Sequence, residues 1–279
     1  MTEFGTLIFP TDYSIQPMEF AKAVEDRGLD SIFFTEHTHI PASRRTPYPL
    51  GGDLPKEYAN TYDPLLALMA CAAVTTRIKL GTGICLVVER DVLTLAKEIA
   101  TLDRLSGGRF IFGIGAGWLA EEMENHGVAY DNRWKVVREK ILALKELWTK
   151  DEAEFHGEFV DFDPVWSNPK PLQPGGPPIW MGATSKWSYD RIAEYCDGWL
   201  PTNGADVGHL PGIEKALKNR GRELGDITLA LFGVPPDEAF ITEKMQAGFS
   251  HLVFGLPPEG PETILPMLDM YAAIAAKMR

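Results

Sequence analysis

The residues best suited to chemistry fall in short clusters. "TEHTH" (residues 35–39) sets His37 and His39 one residue apart beside Glu36. Imidazole exchanges its proton near neutral pH and also binds metals, so this spacing suits proton transfer or zinc ligation. "FGIGAGW" (residues 112–118) alternates Gly113, Gly115 and Gly117 after an apolar run. Such a stretch removes Cβ atoms and frees backbone amides for a bulky or phosphorylated ligand. "GTGI" (Gly81, Thr82, Gly83, Ile84) and "GATS" (Gly182, Ala183, Thr184, Ser185) share this small-residue character. A dinucleotide turn would need G-x-G-x-x-G after a first strand. Here Trp118 stands where the last glycine belongs, and the run follows a fourth strand, which argues against that reading.

The elements that carry these clusters alternate regularly. Apolar runs at residues 5–10, 31–36, 78–87, 109–114, 178–182, 198–201, 227–233 and 251–256 predict eight strands. Amphipathic stretches at 17–27, 63–74, 92–105, 121–126 with 133–150, 188–195, 213–224, 238–247 and 261–278 predict the helices between and after them. Eight strand–helix units in one chain predict a closed (β/α)8 barrel of the TIM type rather than an open doubly wound sheet. No composition break divides the chain, so residues 1–279 are expected to form one domain. The four clusters follow strands two to five, at the C-terminal rim where barrel active sites sit. Two segments interrupt the rhythm. Residues 38–63, after strand two, are rich in Pro, Gly and Arg and long enough for a lid. Residues 151–177, between strands four and five, contain "EFHGEFVDFD", which predicts a small hairpin turning at His156-Gly157.

Bulk properties narrow the partners. A formal net charge of −12 with no basic stripe disfavours nucleic acid. No apolar run approaches the ~18 residues a membrane span needs, and the first residues lack a signal-peptide pattern. Cys71, Cys85 and Cys196 are isolated, which fits a reducing, cytoplasmic setting. A small-molecule substrate is the expected partner.

Several of these stretches, taken together, match a known family. "GLDSIFFTEHTHIP" (28–41), "RIKLGTGICLVVERDVLTLAKEIATLDRLSGGRFIFGIGAGWLAEE" (77–122), "NPKPLQPGGPPIWMGATS" (168–185) and "DGWLPT" (197–202) occur in the family's order. The chain resembles the luciferase-like monooxygenase superfamily, and within it the branch of coenzyme F420-dependent oxidoreductases. The resemblance implies a (β/α)8 barrel holding a flavin or deazaflavin at the C-terminal rim, and commonly a homodimer. It implies that His37 lies beside the reactive ring as a catalytic proton relay, with Glu36 helping to set that pocket. It implies a non-proline cis peptide at Gly83-Ile84, behind the ring and next to Gly81 and Thr82. It implies that Gly115, Ala116 and Gly117 touch the cofactor's tail, and that Gly182, Ala183, Thr184 and Ser185 lie near its phosphate. The acid that some F420-using relatives carry after the strand-four glycines is Trp118 here, with Glu121 and Glu122 a helical turn beyond. That departure disfavours a sugar-phosphate substrate.

Three other readings compete. An FMN-dependent luciferase-like monooxygenase keeps the fold and changes the cofactor. A metal-dependent barrel hydrolase would use the H-x-H pair, but further ligands are not evident at later strand ends, so no metal is expected. A flavin-binding barrel without turnover is the third. Trp118, Trp166, Trp180, Trp187 and Trp199 are candidates for pocket walls or core, and Arg44-Arg45 for an anion contact or a solvated pair.

Overall fold

The computed structural model describes residues 2–202 and 207–279. Eight parallel strands close on themselves: β1 (Glu3–Ile8), β2 (Ser31–Phe34), β3 (Lys79–Thr82), β4 (Phe110–Gly115), β5 (Ile179–Met181), β6 (Gly198–Trp199), β7 (Thr228–Val234) and β8 (His251–Gly255). Each pairs with the next, and β8 returns to β1 with His251 opposite Glu3. A two-residue strand, Cys85–Leu86, prolongs β3 along β4. Alternation along the strands sorts the side chains. Phe33, Ile111, Trp180, Leu200, Ala230, Phe232 and Val253 form one buried cluster within the barrel, topped by the partly buried Leu7 and Ile84. Ile32, Phe34, Phe110 and Phe112 belong instead to the larger core between strands and helices.

The helices are α1 (Pro17–Asp26), α2 (Pro64–Val74), α3 (Val92–Leu105), α4 (Ala120–Asn125), α5 (Arg133–Thr149), α6 (Ser188–Tyr195), α7 (Leu210–Lys218), α8 (Glu238–Gln246) and α9 (Pro261–Met278). Three start on aspartate caps. Asp63 accepts from the Leu66 amide at 2.9 Å, Asp91 from Thr94 at 2.8 Å and Asp237 from Phe240 at 2.9 Å. Each satisfies an amide the first helical turn leaves open. Boundaries move by a few residues. The helix expected over 213–224 begins at Leu210 and ends at Lys218. The chain then turns through Gly221 at φ +69, so the periodic apolar pattern outruns the helix.

Both interruptions are present. After β2, the chain runs to α2 with only a one-turn helix, Glu57–Asn60. Between β4 and β5, Ala153–His156 and Asp161–Val165 pair as an antiparallel hairpin. The return to β5 is held by Asp103 of α3, whose carboxylate accepts from the Leu172 amide at 2.7 Å and the Gln173 amide at 2.9 Å. Asn168-Pro169 is cis. No helix among the described residues is long and apolar enough to cross a membrane.

Candidate active site

The C-terminal ends of β2, β3, β4 and β5 are neighbours in the ring, so the clusters named above converge on one quadrant of the barrel mouth. Gly83-Ile84 is a cis peptide. Ile84 is the packing centre of this quadrant. A Cβ on Gly115 would lie 2.5 Å from Ile84 Cδ1, and one on Gly182 would lie 2.5 Å from Ile84 Cγ2. A Cβ on Gly113 would meet the Thr82 carbonyl oxygen at 2.0 Å. The glycines therefore admit neighbouring protein, which differs from the expectation that they clear backbone for a ligand. Gly117 adopts φ +77, a conformation that favours glycine.

His37 stands over this floor. Its Nδ1 lies 2.7 Å from Glu122 Oε2, with side-chain exposures of 6% and 1%. A carboxylate only accepts, so Nδ1 carries the proton. No described residue bonds Nε2, which is left as the working nitrogen. Glu122 Oε1 accepts from the Thr38 amide at 3.0 Å and the His39 amide at 3.4 Å. One carboxylate thus orients the imidazole and fixes the chain on either side of it. Glu122 is the functional candidate that the sequence reading passes over. It lies 85 residues from His37, and only the adjacency of β2, β3 and β4 brings α4 against the β2 loop.

An aromatic wall faces the same imidazole. Ring centroids lie 5.1 Å apart for His37–Tyr58 and 6.0 Å for His37–Trp118. Tyr48 packs on both Tyr58 and Trp118, and Phe9 lies 4.8 Å from Tyr58. Tyr48 and Tyr58 share a 3.3 Å hydroxyl contact. Burial pushes the Tyr58 phenol upward, so it stays a neutral donor. The segment that brings Tyr48 and Tyr58 is held by Glu121, which accepts from the Arg45 amide at 2.6 Å and the Thr46 amide at 2.9 Å. Burial raises the Glu121 carboxyl, but these bonds outweigh it and bring it down to about 2.

The remaining named residues are placed as follows. Glu36 is buried with both oxygens engaged: Oε2 accepts from the Leu86 amide at 2.5 Å, and Oε1 from Arg90 Nε at 2.8 Å. Arg90 also reaches Asp63 at 2.5 Å. Glu36 therefore braces the segment after the cis peptide rather than facing the aromatic wall. Gly81 is buried against Phe33, and the Thr82 hydroxyl donates to the Gly113 carbonyl at 2.7 Å. Ala116 is buried, while Thr184 and Ser185 are exposed on the β5 loop. The Ala183 carbonyl accepts from Trp199 Nε1 at 2.9 Å. Trp180 and Trp199 are core, whereas Trp166 and Trp187 are exposed. Arg45 reaches Glu124 at 2.8 Å, and Arg44 donates to the Thr46 carbonyl at 2.9 Å. His39 turns away from His37 toward His126, at 5.5 Å between centroids. Among the described residues, no three His, Cys, Asp or Glu side chains converge as a metal site.

A barrel with an oriented imidazole at its mouth matches what comparison with known proteins finds. The luciferase-like monooxygenase family model matches residues 15–236, and the chain belongs to that family. An uncharacterized protein of Mycobacterium tuberculosis is 36% identical over 275 residues, covering 97% of each chain. A coenzyme F420-dependent tetrahydromethanopterin reductase from Methanopyrus kandleri superposes with a TM-score of 0.80 at 20% identity, spanning 100% of this chain and 99% of its own. A monooxygenase from Streptomyces bottropensis gives 0.78 at 20% identity, spanning 99% of both. Solved proteins of this fold thus include both a coenzyme F420-dependent reductase and a monooxygenase.

Proposed function

We propose that the chain is an oxidoreductase that moves a hydride between coenzyme F420 and a small organic substrate. The observation that carries this reading is the His37–Glu122 pair at the barrel mouth, with Nε2 unbonded by any described residue. The site fits a planar ring system. Leu7 and Ile84 give an apolar floor, Tyr48, Tyr58 and Trp118 a wall, and the exposed Thr184 and Ser185 hydroxyls suit a phosphate beyond it. Gly83, Ile84, Gly115, Ala116, Gly117 and the 182–185 loop would hold the cofactor, with Gly81 and Thr82 supporting them from below. The bound deazaflavin supplies the hydride chemistry, and the protein supplies the rest.

That remainder is proton management and exclusion of water. A hydride added to a C=O or C=N carbon must be matched by a proton on the heteroatom. Neutral His37 takes such a proton on Nε2, and the imidazolium returns one, with Glu122 stabilising the charged form. Glu36 acts as a positioning residue through Arg90 and Leu86. The aromatic wall keeps water from the reacting atoms. The whole chain works as one catalytic domain, in the cytoplasm.

A homodimer completes the proposal. Every residue of α2 is apolar, yet Leu66 is 75% exposed on it. A helix apolar on all sides ordinarily has neighbours on all sides. Light scattering should return twice the chain mass, and Leu66→Asp should shift it toward the monomer. The functional reading is tested by mixing reduced coenzyme F420 with a panel of small ketones, aldehydes and imines under anaerobic conditions. Oxidation of the cofactor by the wild type, and a loss of roughly 100-fold or more in His37→Asn, is the expected result. Turnover that needs reduced FMN and dioxygen instead would overturn it.

A further inference from the structure

Behind the His37–Glu122 pair lies a second set of titratable groups that the hydride reading does not use. Glu89 closes the short turn Val87–Glu89. Its side chain is 1% exposed, and its Oε1 is buried with no partner. Its Oε2 lies 3.2 Å from the Thr38 hydroxyl. That hydroxyl also lies 2.9 Å from His39 Nδ1 and 2.9 Å from His126 Nε2. His126, on the far side, lines a cleft of about 380 Å3 between α5 and the hairpin, shared with Asp91, Lys140, Phe159 and Asp161. This cleft is separate from the aromatic wall over His37.

Counting protons restricts the arrangement. Asn125 Nδ2 lies 2.8 Å from His39 Nε2 and donates to it, so His39 carries its proton on Nδ1 and donates to Thr38. A hydroxyl has one proton and two lone pairs. One lone pair and the proton remain for Glu89 and His126. Two states satisfy everything. Protonated Glu89 donates to Thr38, which donates to His126 Nε2. Alternatively, His126 Nε2–H donates to Thr38, which donates to ionised Glu89.

We propose that Thr38 is a two-way hydrogen-bond switch that passes a proton between His126, at the side cleft, and the buried Glu89, and so sets the charge behind the His37–Glu122 pair. In the inward direction the doubly protonated His126 gives up its Nε2 proton and keeps the one on Nδ1, Thr38 accepts that proton, and the Thr38 O–H proton moves to Glu89 Oε2. His126 loses one proton, Glu89 gains one, Thr38 is unchanged, and no electrons move. The charge on Glu89 is then felt by the Glu122 carboxylate and through it by His37, a role that rests on the hydride reading; the switch itself does not.

The surrounding charges favour a protonated Glu89. Burial, then the carboxylates of Glu122 and Glu36, push its carboxyl up to about 9 against the opposing pull of Thr38 and Arg90. Lys140 is occupied with the Val87, Val88 and Arg90 carbonyls. Burial and the neighbouring His39 lower His126, with Lys140 acting the same way and Glu122 and Glu36 opposing, so His126 is a ready proton donor. Asp91 and Asp161 face it across the cleft.

The test is a pH titration of protein labelled with 15N at histidine, without cofactor, followed by long-range 1H–15N NMR. Wild type should show His126 with Nε2 unprotonated near pH 7 and protonated once the pH passes about 9, with a parallel shift at His37. Glu89→Gln should lose both changes. Thr38→Val should lose the change at His126 and keep the one at His37, while Thr38→Ser keeps both. Unaltered His251 resonances, from the opposite end of the barrel, report that each variant is folded. A wild-type His126 that holds one tautomer throughout, or a switch that survives in Thr38→Val, would overturn the proposal. Because no cofactor is present, failure of the coenzyme assignment leaves this result standing, and the reverse also holds.

Discussion

At the scale of single residues, the site is an imidazole whose tautomer is set by a carboxylate. Glu122 does two jobs with two oxygens, one on His37 and one on the amides of Thr38 and His39. Glu122→Gln keeps the shape but replaces the anion with a neutral amide. It should lower the rate of the proton-coupled step by about 10- to 100-fold while leaving cofactor affinity within a few-fold, a split that single-turnover kinetics resolves. Glu89 makes a separate prediction about stability. Burial and the carboxylates of Glu122 and Glu36 push its folded carboxyl up to about 9, against an ordinary 4.5 in the unfolded chain. Between these values the folded state holds a proton that the unfolded state has lost, so stability falls as pH rises through that window and then levels. Glu89→Gln lacks this penalty. Its melting temperature should gain on wild type from about pH 5 to about pH 9, as paired thermal melts will show. The histidine was legible in the sequence because H-x-H after a strand is a local pattern. Glu89, Glu122 and Tyr58 were not, because each earns its role from a neighbour far along the chain.

At the scale of elements, strand ends built from small residues allow close approach, but not of the kind their spacing suggests. Gly113, Gly115 and Gly182 each face a protein atom rather than open space. The difference between their neighbours gives a ranking. A methyl at Gly113 meets the Thr82 carbonyl, which is backbone and cannot move alone. A methyl at Gly115 meets the end of a flexible Ile84 side chain. Overpacking typically costs about 1–3 kcal/mol, so Gly113→Ala should lie at or above the top of that range in urea unfolding and Gly115→Ala toward the bottom. The strand–helix rhythm was readable because hydrophobic periodicity is local. The purpose of each glycine was not, since it depends on which atom of a neighbouring strand lies opposite. The same holds for "DRLSGGRF", whose Asp103 and Arg109 are occupied by structure. Asp103 holds the return to β5, and Arg109 donates to the Ile78 carbonyl at 2.7 Å and the Thr75 carbonyl at 2.9 Å.

At the scale of the whole molecule, the barrel has a working end and a sealing end. The sealing end joins four strands through side chains. Glu3 of β1 contacts Lys79 of β3 at 2.7 Å and His251 of β8 at 2.8 Å, and His251 Nε2 lies 2.7 Å from the Ser31 hydroxyl of β2. Ser31, His251 and Glu3 mimic a nucleophilic triad, but Ser31 is wholly buried and a Cβ on Gly5 would overlap its hydroxyl, so no substrate reaches it. Burial raises the Glu3 carboxyl, yet the bonds and charges of His251 and Lys79 prevail and bring it to about 2. A depressed folded value means that this stabilisation is full above the ordinary carboxyl value of 4.5 and is lost as pH falls toward about 2. Glu3→Gln should therefore flatten the acid limb of stability by losing stability near neutrality while changing little near pH 2, with the loss reduced by solvent screening of a partly exposed pair. Eight units in sequence foretold the closed barrel, because no other arrangement covers eight parallel strands so economically. The family follows from the matched stretches, and the choice between coenzyme F420 and FMN is a matter of binding.

That choice is the central claim, and one titration addresses it directly. Intrinsic tryptophan fluorescence of the purified protein should be followed with coenzyme F420 and, in a separate experiment, with FMN. Trp118, one ring away from His37, is placed to report a ligand at the mouth. The account predicts saturable quenching by coenzyme F420 that weakens in Trp118→Phe, and little response to FMN. Saturable binding of FMN with no response to coenzyme F420 would contradict it and move the chain to the monooxygenase side of its family.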